Sequence, residues 1–148
     1  VFAVTGDHFA RKFLNGKPSA FERTSVPLVF FGPEVLANQT VPEGAAGSHI
    51  DIGPTLVELA APAGFAYHAL GRDLLDPAQV RPGFGREFVI GPDYIAQLKP
   101  EFVLEALPGK ALPTTLPSAQ ELNQLYNDAH GIAWWRMRNG TEKKESSQ

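Results

Sequence analysis

The run Val1-Phe2-Ala3-Val4 leads directly into Thr5-Gly6-Asp7-His8, and no other segment constrains the architecture as tightly. Consecutive apolar residues at this density read as a strand buried on both faces, the pattern of a sheet covered on two sides. Gly6 lets the chain turn sharply where the strand ends. Asp7 and His8 then stand at the strand's carboxyl edge, where α/β sheets collect their ligands. A carboxylate beside an imidazole offers one oxygen and one nitrogen to a divalent cation such as zinc or manganese. A core strand needs neighbours, so a chain opening on its metal ligands without an initiator Met reads as a piece of something longer.

Composition narrows the function classes. The 148 residues suit one domain, and 43% hydrophobic with 20% charged residues is the balance of a folded globular chain. A net charge of -3, with no basic cluster larger than Arg11-Lys12 or Lys143-Lys144, argues against nucleic acid as a partner. No stretch reaches the roughly 18 to 20 apolar residues of a membrane span, and the first residues lack the build of a signal peptide, so the piece itself is expected to be soluble. The absence of Cys removes disulfide and thiolate chemistry.

Along the chain, Phe9 to Ser25 reads as a long loop with one helical turn, punctuated by Asn15-Gly16 and Lys17-Pro18. Val26-Pro27-Leu28-Val29-Phe30-Phe31 is a second apolar strand, a core neighbour for the first, stopped by Gly32-Pro33. Gln39 to Ser48 reads as a surface loop. A helix follows, with Asp51 as its N-cap, Pro54 in its first turn, and Ile52, Leu56, Leu59 and Ala60 on one face up to Pro62. From Pro77 to Pro117, Pro and Gly recur every few residues. Short β-type runs at Arg86 to Ile90, Tyr94 to Leu98 and Phe102 to Leu107 predict a small antiparallel meander. Ser118 and Glu121 form a capping box for a last helix, stopped at Asn139-Gly140, whose stripe of Leu122, Leu125, Tyr126, Ala129 and Ala133 is expected to pack on the sheet. Thr141 to Gln148 reads as a disordered tail.

Thr5-Gly6-Asp7-His8, the strand around Val26-Pro27-Leu28, Ser48-His49-Ile50-Asp51-Ile52-Gly53-Pro54-Thr55-Leu56 and Gly71-Arg72-Asp73-Leu74-Leu75 occur in an order that resembles the sulfatase branch of the alkaline phosphatase superfamily. The Gly-Asp-His form is most similar to phosphoglycerol transferases of the lipoteichoic acid synthase type and to phosphoethanolamine transferases. The resemblance covers roughly residues 1 to 77. It implies the C-terminal portion of a three-layer α/β, alkaline-phosphatase-like fold. Residues 1–77 would be the later part of the catalytic core, 78–140 a small antiparallel sheet plus C-terminal helix of the same domain, and 141–148 the tail. It also implies that Asp7 and His8 hold one divalent metal ion (manganese, zinc, magnesium or calcium) together with an upstream acidic residue and a Thr or Ser nucleophile. The cation would help ionise that hydroxyl and neutralise charge developing on a phosphoryl oxygen. No catalytic nucleophile is expected in this chain, because Thr5, Thr24 and Thr55 do not occupy the family position. The parent would be a metal-dependent phosphotransferase or phosphodiester hydrolase, with a sulfatase as the alternative. Its catalytic domain would lie outside the cytoplasm on a membrane-anchored protein.

Other residues admit plainer readings. His49 precedes a helix and can reach an anionic phospho- or sulfo-ester, as can Arg23, while Arg11 and Lys12 fall on the loop after the metal pair. The family's phosphotransferases often carry a further His in that loop, and Phe9 to Ser25 has none. Arg72-Asp73 reads as a structural turn and pair, and His68 and His130 as surface residues. Of Trp134-Trp135, adjacent on a helix, one is expected buried and one at the rim. The partners this reading implies are the missing N-terminal half of the domain and a second copy of the chain, because the first strand would have lost its neighbours. A catalytically silent structural or partner-binding fragment is the reading outside the enzymes.

Overall fold

Two hydrogen-bonded boxes of the same kind open helices at opposite ends of the protein. In the computed structural model, which describes residues 1–8, 16–43, 45–79 and 81–140, Ser19 caps α1 (Ala20–Thr24) and Ser118 caps α4 (Ala119–Asn139). At each, the Ser hydroxyl accepts the N–H of the residue three ahead, Glu22 or Glu121, at 3.2 Å. The Ser N–H donates back to that glutamate's carboxylate at 2.7 Å. Donors that the first helical turn leaves unpaired are thereby satisfied. Gly140 ends α4 with φ of 64°, a positive value that glycine adopts without strain.

Mixed α and β structure connects these points, with two small antiparallel sheets. β1 (Phe2–Thr5) pairs with β2 (Leu28–Phe31), placing Phe2 opposite Phe31 and Val4 opposite Val29. A short helix, α2 (Pro33–Leu36), follows Gly32, and α3 spans His49–Ala60. After a 3-10 turn at Pro77–Gln79 come β3 (Gly83–Gly85), β4 (Phe88–Ile90), β5 (Tyr94–Gln97) and β6 (Val103–Ala106), paired in sequential order. The meander and terminal helix expected from the sequence are present. β3 extends the sheet by a strand that its flanking glycines disguise.

The core gathers here. Val89, Tyr94, Ala96 and Leu98 pack with Leu122 of α4, and Phe84, Leu104 and Tyr126 close over them. Tyr126 adds a directional contact, its hydroxyl accepting the Glu87 N–H at 3.0 Å in the β3–β4 turn, where Glu87 takes φ of 63°. α1 is fastened to the same sheet, since Ala20 N–H donates to Glu105 at 2.8 Å and the Arg23 guanidinium to Gln97 at 3.0 Å.

Five expectations need correction. β1 is not buried on both faces. Phe2 is 69% exposed and Phe31 60%, with Val4 and Val29 beside them, because among the described residues β2 is its partner and nothing covers the outer face of the pair. Asp51 is not the N-cap of α3. Ser48 is, so Asp51 is the third helical residue and Pro54 lies inside the helix. The deepest side of α3 carries Asp51, Pro54 and Thr55 rather than the Ile52, Leu56, Leu59 stripe. Of the α4 stripe, Leu122 is buried and Tyr126, Ala129 and Ala133 are half-buried while Leu125 is exposed, and Trp134 and Trp135 are both exposed, at 58% and 54%. The loop through Arg11 and Lys12 and the tail 141–148 lie outside the described residues.

Candidate functional site

His49 meets the peptide that precedes Asp7 at the end of β1. The His49 ring Nε2 lies 2.7 Å from the Gly6 carbonyl oxygen. A carbonyl only accepts, so Nε2 carries the proton and the ring's other nitrogen is the acceptor when the imidazole is neutral. This bond pins the peptide immediately before Asp7 to the first residue of α3. One residue on, Asp7 Oδ1 and His8 Nε2 are 3.7 Å apart, with the Asp7 side chain 92% exposed. Two donors about 2.1 Å from a tetrahedral cation stand about 3.4 Å apart, so the pair fits a shared cation with a shift of a few tenths of an ångström. Among the described residues no group of three or more His, Asp or Glu converges on one point.

Arg23 sits elsewhere. Its guanidinium donates to Gln97 Oε1 and, through Nε, to the Ser19 carbonyl at 3.4 Å, which places it between α1 and β5. A half-open cavity of about 420 Å³ lies behind the pair, bounded by Thr5, Leu28, Phe30, Ile52, Phe84 and Phe88, with His49 at its margin. Asp7, His8 and Arg23 do not line it. It is a largely apolar gap between the β1–β2 ribbon, α3 and the β3–β4 hairpin, which Ser48 and His49 also line.

What holds His49 in place is a buried hydrogen-bonded hub that sequence reading treated as a helix cap and a turn. Asp51 Oδ2 accepts from Ser48 N–H at 2.8 Å and from the Ser48 hydroxyl at 3.2 Å, while Oδ1 accepts from Arg72 N–H at 3.0 Å. Thr55, fully buried, donates its hydroxyl to the Asp51 carbonyl at 2.8 Å and accepts from Leu74 N–H at 2.9 Å. The buried Arg72 guanidinium donates to the carbonyls of Ala46 and Arg81. Asp73 closes its own turn by accepting Leu75 N–H. Pro54 lacks an N–H, so the Ile50 carbonyl loses its usual helical partner. Gly71 packs on that carbonyl, and a Cβ at position 71 would stand 1.9 Å from its oxygen. Among the described residues every buried side-chain polar atom is satisfied. Two of the four segments that carry the resemblance, Ser48 to Leu56 and Gly71 to Leu75, are thus one structural unit, in which Ser48, Asp51, Thr55 and Arg72 are hydrogen-bonded together.

His68 and His130 are exposed, the latter stacked on Tyr126 with ring centroids 4.2 Å apart. Among the described residues no helix is long and apolar enough to cross a membrane. Compared with known protein families, curated proteins and solved structures, the chain has no match in any of the three.

Proposed function

We propose that this chain is the C-terminal part of a metal-dependent phosphoglycerol- or phosphoethanolamine-type transferase, or of a phosphodiester hydrolase, built on the alkaline-phosphatase-like plan of the sulfatases. The observation that carries the reading is the 3.7 Å approach of Asp7 and His8 at the carboxyl end of β1, on a peptide held by His49. A divalent cation bound there supplies Lewis acidity to a phosphoryl oxygen. Asp7 contributes negative charge and His8 a neutral nitrogen, and the remaining ligands and the nucleophile come from upstream of Val1. His49 acts as a positioning residue, because its proton is spent on Gly6. Arg23 serves the α1–β5 contact. The parent is read as membrane-anchored, with this domain outside the cytoplasm.

The partner that completes the domain is its N-terminal half, and the uncovered apolar face of Phe2, Val4, Val29 and Phe31 supports such a partner. In its absence two copies of the chain associate through that face. Sedimentation of the purified chain should therefore depend on concentration, and Phe2→Asp with Phe31→Asp should leave a monomer.

The decisive experiment is made in the full-length parent. Asp7→Ala and His8→Ala should each lower transfer by about a hundredfold or more, with an unchanged melting temperature, since both side chains lie outside the core. Full activity in either variant overturns the assignment. The 148-residue chain alone should bind divalent metal weakly and should not turn over phosphodiesters or sulfate esters. Metal-dependent hydrolysis by the isolated chain would place the nucleophile inside it.

A further inference from the structure

The outward side of α4 changes character halfway along the helix. At 3.6 residues per turn, the side opposite Leu122, Ala129 and Ala133 carries Gln120, Gln124, Asn127 and Asp128 in the first half, then Trp134, Trp135 and Arg138 in the second. The first group is what a solvated helix presents. The second is not, because both indoles stand more than half exposed, with Ile132 and Met137 uncovered around them. A helix end apolar on several sides is normally buried. Here the Arg136 guanidinium anchors the last turn to the body through the Ala69 carbonyl at 3.2 Å, so the indoles project away from it.

Charge selects the occupant. Between Asp128 and Gly140 there is no acidic residue, while Arg136 and Arg138 fall in the last turn. The Arg138 guanidinium lies over the Trp134 ring, 5.1 Å from its centroid, so an indole and a cation are presented together. Indoles prefer the boundary between acyl chains and headgroups, and arginine beside them pairs with lipid phosphate. We infer that the C-terminal half of α4 docks on an anionic lipid surface, with Trp134 and Trp135 entering the interface and Arg138 on the phosphates. This inference is independent of the Asp7-His8 reading.

Trp134 and Trp135 are the only tryptophans in the chain, so intrinsic fluorescence reports this site alone. Adding phosphatidylglycerol vesicles to the purified 148-residue chain should shift the emission to the blue, and brominated acyl chains should quench it. Raising the salt should reverse the binding. Trp134→Ala with Trp135→Ala should cut co-sedimentation with these vesicles at least about tenfold, and Arg138→Gln should weaken it about fivefold. Both sites are exposed, so far-UV circular dichroism should be unchanged. Absence of a shift overturns the inference, as does equal binding to vesicles of phosphatidylcholine alone. A shift that appears without lipid as protein concentration rises would assign the face to a second copy and also overturn it.

Discussion

The β3–β6 sheet with the first half of α4, and the β1–β2 ribbon with α3, are made from comparably apolar strands, yet they place their side chains in opposite ways. In the meander Val89, Ile95 and Ala96 are fully buried and Leu122 seals one face. In the ribbon Phe2, Val4, Val29 and Phe31 face outward, and the buried interior beside it is the polar set Asp51, Thr55 and Arg72. Burial of apolar surface holds the first region, while saturated hydrogen bonding holds the second. Hydrogen bonds return little net free energy but are expensive to leave unmade, so the hub specifies a geometry more than it stabilises one. The geometry fixed in this way includes the contact of His49 with the Gly6 carbonyl.

The contrast is most easily broken by truncating one apolar residue in each region. Leu122→Ala should cost about 3 to 4 kcal/mol through lost burial and the cavity left behind. Phe31→Ser, on the open face, should change the stability of the monomer by no more than about 0.5 kcal/mol. Urea denaturation followed by circular dichroism measures both at a concentration where the chain is monomeric, and equal losses would erase the distinction. Next in size is Gly71→Ala, which drives a methyl group into the Ile50 carbonyl and should cost about 2 to 3 kcal/mol. The same denaturation reads it, and a neutral result would mean that the hub is not packed backbone to backbone.

Smaller changes sharpen the comparison. Tyr126→Phe removes the acceptor for Glu87 N–H in a turn already held at positive φ, and about 1 kcal/mol should be lost. Hydrogen exchange should locate that loss in the β3–β4 turn. The smallest effect concerns pH. The Ser118 backbone N–H, and then its hydroxyl, hold the Glu121 carboxyl below the usual carboxylate range. A group depressed in the folded state stabilises it above the unfolded value, and that contribution disappears as pH falls through the folded one. The stability gap between the natural chain and Glu121→Gln should therefore be widest near neutrality and close in acid, measured from about pH 6 to about pH 3. A gap that stays constant would mean the box does not depend on the charge.

What was legible in advance was local. Both ends of α4 follow from Ser118, Glu121 and Gly140, whose partners lie within four residues, and the meander follows from short β-type runs between turns. The hub was hidden because Asp51 meets Arg72 across 21 residues and Arg72 meets Ala46 across 26. No spacing rule reports such pairs. A signal was present in Pro54, since a proline inside a helix leaves a carbonyl without its donor and something must pack there. The indole pair was misjudged because helical geometry separates neighbours by direction without saying whether the body reaches either of them.

Residue type and short-range hydrogen bonding were enough to decide where α4 starts and stops and that β1 and β2 are strands. Capping and turn energies depend on atoms a few residues apart, so the order of residues already contains them. Tertiary structure alone decided which apolar faces are covered, that Arg23 serves Gln97, and that His49 holds the peptide before Asp7. Burial and long-range pairing are properties of what lies opposite a side chain, and that is set by how distant segments are brought together.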